Sequence, residues 1–381
     1  MTIYFDHNAT TPLDKTALEA MLPFMEACYA NPSSIHSQGR VARAAIDKAR
    51  EQVAELVNAH PSQVIFTSGG TEANNLALKG AARGMALDSI VTSAIEHPSV
   101  RDVARYMATS MKHDLLSVDG NGRVLVNSIE SVIKPNYGQM FSVMLANNET
   151  GVVQDIALLA DKVRAAGHYF HTDAVQAAGK VDVDFAELNV NLMSLSSHKI
   201  YGPKGVGALI YDKSIDIEPI LHGGGQEKGL RSGTENVAAI VGFGKAAELA
   251  KCHQKNRIEH LSGLQQYFEK QLKKISGIVI FADHVSRLPN TTFFSLPGID
   301  GEALLMHLDL HDIAVTSGSA CASKSLSPSH VLVAMGIEES IARSAIRVSF
   351  GAQNTRAEID EVIKVLTVNV KNIAPSKLVN T

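Results

Sequence analysis

The stretch Leu192–Lys204, L-M-S-L-S-S-H-K-I-Y-G-P-K, decides how the chain is read. It begins as an apolar run with period-two character, the end of a buried strand. It then turns polar at Ser196, Ser197, His198 and Lys199 and closes on Gly202-Pro203, a turn signal. A lysine just past a buried strand is an unusual placement, because lysine is rarely buried without a partner. Desolvation lowers an amine's pKa, and a neutral amine forms Schiff bases with aldehydes. The serines and histidine beside it are good anion ligands. The plain alternative is a strand that exits to solvent with an ordinary surface lysine, so residues elsewhere must decide.

Outward from this stretch the pattern is strand–helix alternation. V-I-F-T-S from Val64, S-I-V-T-S-A from Ser89, D-L-L-S-V-D from Asp114, F-S-V-M-L-A from Phe141, H-Y-F-H-T-D from His168 and G-V-G-A-L-I-Y-D from Gly205 read as strands. Helical periodicity follows Lys15 to about Cys28 and Gly39 to about Val57, where Arg40, Arg43, Lys48 and Arg50 against Glu51 and Glu55 read as a solvated face. Residues 101–111, 155–166, 234–253 and 256–276 also read as helix. Repeated alternation of this kind signals an α/β protein with a mostly parallel sheet covered on both faces. After residue 276 the texture becomes β-rich with helices at 301–310, 328–335 and 355–370. The expectation is a large domain over 15–255 and a smaller α/β domain from 1–14 and 256–381.

With 381 residues, 45% of them hydrophobic, the chain is long enough for a large core. A net charge of −4 and the lack of a basic run point away from nucleic acid and anionic membranes. No apolar run approaches a membrane span, and Met1–His7 carries no cationic leader region. Three cysteines, Cys28, Cys252 and Cys321, fit a reducing cytoplasm better than a disulfide framework. No Cys/His cluster has zinc-site spacing.

In open α/β sheets ligands gather at the carboxyl ends of the strands, and polar residues collect at those ends here. Gly69-Gly70-Thr71-Glu72 opens a helix, a position suited to an anion; a simple cap is equally compatible. Asp173 ends a strand with Gln176 three residues on. A carboxylate there keeps a pyridine nitrogen protonated, and a glutamine donates to a ring oxygen. The alternative is a helix cap. An amine, phosphate ligands and such a carboxylate together suggest pyridoxal 5'-phosphate (PLP). His97, before Pro98, has the residue type to stack on the ring and to move protons. Asn148 ends another strand. Arg347, inside A-I-R-V-S-F, reads as an edge charge or as a bidentate carboxylate clamp, the clamp being favoured. Thr234 in R-S-G-T-E-N reads as a further helix start with anion-binding character. Cys321 lies in T-S-G-S-A-C-A-S-K-S-L-S-P, a small-residue stretch that reads as a mobile, exposed loop from which a thiolate reaches substrate. Cys28 and Cys252 fall in helical patterns and read as structural.

These residues resemble the cysteine desulfurases of the NifS/IscS-like group over nearly the whole chain. The resemblance is carried by N-A-T-T-P at 8–12, T-S-G-G-T-E-A-N-N-L-A at 67–77, E-H-P-S-V at 96–100, N-N-E-T-G-V-V-Q-D-I at 147–156, D-A-V-Q at 173–176, S-S-H-K-I-Y-G-P-K-G at 196–205, R-S-G-T-E-N-V at 231–237 and S-G-S-A-C-A-S at 317–323. Ser197 departs from the glycine of some relatives. The resemblance implies a cytoplasmic homodimer of the aspartate aminotransferase type, the PLP-dependent transferase fold type I. It implies Lys199 as the lysine bonded to PLP, Asp173 at the ring nitrogen, Gln176 and Asn148 near the phenolic oxygen and His97 over the ring. Gly70, Thr71, Ser196 and His198 would hold the phosphate, with Thr234 from the neighbouring subunit. Arg347, with Asn148, would bind the carboxylate of L-cysteine, and Cys321 would receive its sulfur, leaving alanine. The persulfide would pass to an acceptor protein, an iron–sulfur scaffold or a thiolation enzyme. No resident metal is implied, beyond a transient iron–sulfur cluster that Cys321 could ligate. Two other readings share part of the pattern: an aminotransferase for a small amino acid, which would not need Cys321, and a non-catalytic dimeric scaffold, which would bind no PLP.

Overall fold

The computed structural model describes residues 2–317 and 328–373, with side chains through residue 368. Twelve strands run in chain order: β1 Ile3–Tyr4, β2 Val64–Thr67, β3 Ser89–Ser93, β4 Lys112–Leu116, β5 Gln139–Ser142, β6 Tyr169–Asp173, β7 Leu192–Ser196, β8 Gly207–Tyr211, β9 Val279–Ile280, β10 Thr291–Ser295, β11 Ile313–Ala314 and β12 Ala345–Ser349. Seven form one sheet in the order β2-β8-β7-β6-β5-β3-β4. Its neighbours from β7 through β4 are parallel. β8 is antiparallel to both β7 and β2. The expected mostly parallel sheet is therefore present, and the exception has a geometric cause. Only residues 197–206 join β7 to β8, too few for the helical crossover that parallel pairing needs.

Full burial explains the sequence texture. β2, β3, β5 and β7 are buried at every position, so they read as continuous apolar or small-residue runs. One core joins Val91, Phe141, Phe170, Met193 and Ala208 of the sheet to Ile46 and Val53 of the helix Ser37–Leu56 and Phe243 of the helix Val237–Cys252. A second core lies on the other side, where Leu76, Ala77 and Leu78 meet Ile90 and Leu209. These three belong to a helix running Gly70–Gly84 whose middle turn, Leu76–Gly80, is π-helical. A separate core gathers Phe5 with Phe268, Phe294, Leu304, Ile346, Phe350 and Leu366. It contains the sheet β12-β10-β9 and the long helices Gln254–Leu272 and Arg356–Ile373. β1 pairs with β11, which ties the N-terminus to this part of the chain.

Several local readings need correction. Arg50 is not on a solvated face. It is buried and donates from both terminal nitrogens to Glu227, each at 2.7 Å, and Glu227 also accepts from the backbone of Phe66 at 2.9 Å. The partner lies 177 positions away, so helical charge patterning could not reveal it. The helix expected to open at Thr234 starts at Val237, capped by Asn236, whose side chain accepts from Ala239 N. Helices Val126–Val132 and Glu339–Arg343 were not foreseen. Cys28 lies past the end of its helix, and Cys252 is exposed, so neither is a core cysteine.

Breaking a buried ion pair leaves an uncompensated charge. Arg50→Met is expected to cost about 3–5 kcal/mol of unfolding free energy. Adding Glu227→Gln should recover part of that loss. Denaturant melts of the parent, the single variant and the double variant check both statements; a single variant within about 1 kcal/mol of the parent would contradict the pair's role.

Candidate active site

The carboxyl ends of the parallel strands open onto a cavity of about 180 Å³ lined by residues including Gly70, Thr71, His97, Asn148, Asp173, Gln176, Ser196, His198 and Lys199. Nine of the residues singled out in the sequence thus converge from five segments that are far apart in the chain. Thr234 is exposed and is not among the lining residues of this cavity. Arg347 lies beside the cavity, on β12. Cys321 lies outside the described residues.

Asp173 is the last residue of β6 and is buried. Its Oδ2 accepts from Asn74 Nδ2 at 2.7 Å and its Oδ1 from Val175 N at 2.9 Å. It therefore caps the turn after β6 and also lines the cavity, so the two readings offered by the sequence are compatible. Asn74 also donates to Ser99 Oγ at 2.8 Å, and Ser99 Oγ lies 2.7 Å from His97 Nδ1. That nitrogen accepts from Ser99 N at 3.1 Å as well. Nδ1 is therefore the acceptor, and the neutral ring carries its proton on Nε2. Burial holds the His97 pKa below its ordinary value; Asp173 opposes this and Lys199 adds to it.

On the neighbouring strand, Ser196 closes β7 and Lys199 sits one turn later. Lys199 Nζ donates to the carbonyls of Asn8 at 2.5 Å and Ala9 at 2.7 Å. His198 Nδ1 lies 3.1 Å from Thr10 Oγ1, and burial, then the charges of Lys199 and Lys204, push its pKa down to about 4. Ser197 Oγ points elsewhere: a Cβ built on Gly202 would come within 2.0 Å of it. A glycine at 202 is what accommodates the serine at 197.

Arg347 is buried despite standing on an edge strand. Nη2 donates to Asp6 Oδ1 at 2.6 Å and Nη1 to Asn148 O at 2.9 Å, while Nε is buried without a hydrogen-bond partner. The backbone of Arg347 also pairs with Thr316, N to O at 2.6 Å.

Asn8, Asn74, Ser99, Asp6 and Lys180 were not singled out in the sequence. Asn74 had a legible signal: it lies four residues after Gly70 on one helix, hence on the same face. Asn8 had none. Its carbonyl receives Lys199 and Gln176, and its side chain joins Thr291, Asn290 and Lys180. These partnerships span up to 283 positions in sequence.

The residues present fit PLP. Ser196 Oγ is buried without a hydrogen-bond partner, as expected of a hydroxyl waiting for an anion. A Cβ on the adjacent Gly70 would meet Val175 Cγ2 at 2.8 Å and Ser196 Cβ at 3.4 Å, so only glycine lets the helix backbone come this close. The helix start at Gly70 supplies backbone N–H groups on the same side.

Residues 3–362 match the class-V aminotransferase family. The chain belongs to this family. Among class-V relatives, a protein from Dictyoglomus turgidum named cysteine desulfurase IscS is 41% identical over 382 residues, covering 98% of this chain and 97% of the relative. A solved NifS-like protein superposes with a TM-score of 0.91 at 36% identity, covering 98% of this chain and all of the other. A structure described as SspA in complex with cysteine superposes at 0.81 with 34% identity, covering 92% of this chain and 99% of the other. The NifS/IscS-like resemblance read from the motifs is thus confirmed. Among the described residues no helix is long and apolar enough to cross a membrane, and no group of three or more His, Cys, Asp and Glu would hold a metal.

Two further acids flank the class-V site. Glu96, next to His97, is fully buried, which raises its pKa to about 8 against its bonds from Ser93 Oγ and Met144 N. Glu149, next to Asn148, is raised to about 7 by burial and accepts from Ser329 Oγ. A carboxyl with a folded-state pKa above its unfolded value holds a proton that the unfolded chain has released. Its stabilising contribution is full below about pH 4.5 and is lost as pH rises toward 8 for Glu96 and 7 for Glu149. Glu96→Gln removes one such term, worth about 1.4 kcal/mol per pH unit. The melting temperature of the variant relative to the parent should rise between pH 5 and pH 8; an unchanged difference would refute the buried, protonated state.

Proposed function

We propose that this protein removes sulfur from L-cysteine with PLP in the cavity between Asp173 and Lys199, giving L-alanine and a persulfide on Cys321. The observation that carries this reading is the convergence of Lys199, Asp173, His97 and the unpartnered Ser196 hydroxyl on one cavity in a class-V aminotransferase. Cysteine desulfurase relatives of similar length support the substrate.

Gly70 and Thr71, with Ser196 and His198, would hold the phosphate, joined by Thr234 of a second subunit in a homodimer. Lys199 would bond the aldehyde, and Asp173 would keep the ring nitrogen protonated. When bound, PLP supplies a sink for the electron pair left at the substrate's Cα. Lys199 Nζ, once free, would take the Cα proton, and it rests on the Asn8 and Ala9 carbonyls. His97 would stack on the ring and present Nε2 as a proton carrier. Arg347 receives the substrate carboxylate, which exchanges for or joins the Asp6 contact and meets the unpartnered Nε. The Cys321 thiolate attacks the substrate sulfur. The S–S bond forms as the Cβ–S bond breaks; the bonding pair stays with Cβ, which takes a proton to become the methyl of alanine, and the sulfur remains on Cys321 for an acceptor protein. The separate cores around Phe243 and Phe268 support a division into a large domain, 15–255, and a small one, 1–14 with 256–381.

The test is turnover of the PLP-loaded protein with L-cysteine. Alanine should accumulate, and intact-peptide mass spectrometry should find added sulfur on Cys321. Keto-acid formation without added sulfur would replace this reading with transamination.

A further inference from the structure

Lys180 lies four residues after Gln176 and is buried. Its Nζ bonds to Gln176 Oε1 at 2.9 Å and Asn8 Oδ1 at 3.0 Å. The amide nitrogens of both partners are committed to groups that only accept. Gln176 Nε2 donates to Asn8 O at 2.8 Å, and Asn8 Nδ2 donates to Asn148 O at 3.2 Å. A backbone carbonyl fixes which end of each amide is nitrogen. Both oxygens therefore face Lys180, which donates to each. Burial first, and then the charges of Lys199, Arg347 and Arg257, hold its own pKa well below the ordinary lysine value. An amine and an ammonium both have enough hydrogens for these two bonds.

Gln176 lines the cavity. Without a donor behind it, its oxygen would be a buried acceptor with nothing to accept, and the side chain would gain by swinging out of this position, taking Nε2 away from Asn8 O. With Lys180 in place, Nε2 has one hydrogen on Asn8 O and one left for the cavity.

We propose that Lys180 is a positioning residue: it locks the Gln176 amide so that an N–H faces the phenolic oxygen of PLP. The inference rests on the PLP reading above and adds a residue that never touches the cofactor. It makes a sign prediction. A donor to the phenolic oxygen stabilises the anionic oxygen left when the bound cofactor loses its proton, so removing that donor raises the pH at which the cofactor's absorbance titrates.

The experiment uses PLP-loaded protein and follows cofactor absorbance against pH for the parent, Lys180→Met, Gln176→Ala and the double variant, with the PLP dissociation constant measured alongside. Lys180→Met should raise the titration midpoint by about one pH unit and weaken PLP binding about tenfold, the worth of one hydrogen bond. The double variant should match Gln176→Ala, because both substitutions remove the same contact. Lys180→Gln, which keeps one donor, should fall between the parent and Lys180→Met, and it serves as the test if Lys180→Met does not fold. A parental midpoint in Lys180→Met, or in Lys180→Gln where that variant stands in, overturns the proposal. Additive shifts in the double variant would overturn it too, since they mean that the charge of Lys180 acts directly. Borohydride reduction of the parent separates the two levels: cofactor trapped on a side chain other than Lys199 sinks the PLP reading itself, whereas cofactor on Lys199 with an unmoved titration sinks only the role of Lys180.

Discussion

Lys199→Ala is expected to abolish covalent retention of PLP and to slow alanine formation by at least about a thousandfold, since both the carbonyl-bonding amine and the Cα base are lost. The structure contains a rival, which makes the prediction pointed. Lys180 is the more deeply buried of the two lysines and has a strongly lowered pKa. A search for a desolvated lysine alone would choose it. Geometry decides otherwise. Lys199 lines the cavity that holds Asp173 and Ser196, whereas Lys180 does not reach it and borders only a smaller void, which Lys199 also borders, with His7, Arg257 and Asn290. Lys180 also spends its hydrogens on two side-chain oxygens, those of Asn8 and Gln176. Borohydride reduction followed by peptide mapping should therefore label Lys199 in the parent. Label on Lys180 would reverse the assignment. In Lys199→Ala, added methylamine should restore part of the proton transfer, because the cavity and its other walls remain; full loss of folding, seen by circular dichroism, would instead show that the Asn8 and Ala9 contacts are structural.

What the sequence revealed and what it hid follow from the range of the interactions. The buried strands were legible because burial on both faces writes itself as apolar runs. Their mostly parallel direction was legible from the strand–helix alternation rather than from the runs themselves, which have no polarity, and the antiparallel β8 was not foreseen, although the short connection from β7 betrays it. Strand-end residues such as His97, Asp173 and Lys199 were legible because a polar residue at the end of an apolar run is conspicuous. Arg50, Asn8 and Lys180 were not. Each owes its role to bonds made by the folded backbone between distant segments, and a helical wheel sees none of them. Lys180 was nearest to detection, at four residues from Gln176, but that spacing also describes any ordinary surface pair. Thr234 shows the opposite error. Its R-S-G-T-E-N setting looks like a helix start, yet Asn236 does the capping. The hydroxyl is left exposed.

Cys321→Ala is expected to abolish persulfide formation and sulfide release while leaving PLP loading and the absorbance change on adding L-cysteine intact. The two halves of the reaction use different parts of the molecule. In the proposed reaction cofactor and substrate carboxylate would meet Lys199, Asp173 and Arg347, which lie just past β7, at the end of β6 and on β12. The sulfur acceptor lies in the small-residue stretch after Thr316, and the described residues on either side are tied to the site's own walls. Thr316 exchanges two backbone hydrogen bonds with Arg347. Ser329 donates to Glu149, which follows Asn148, and His330 Nε2 donates to the carbonyl of Glu96, which precedes His97, at 3.0 Å. Cys321 lies five positions after Thr316, and a chain of five residues spans at most about 18 Å. If Arg347 holds the substrate carboxylate as proposed, a thiol on so short a tether to it is placed to meet the substrate sulfur, and its removal should cost the sulfur step alone. Rapid mixing with L-cysteine checks this. Parental spectral changes in the cofactor with no alanine burst would fit the division of labour; an alanine burst equal to the parent's would show that sulfur leaves by another route, and transamination assays on the same variant would then identify an aminotransferase.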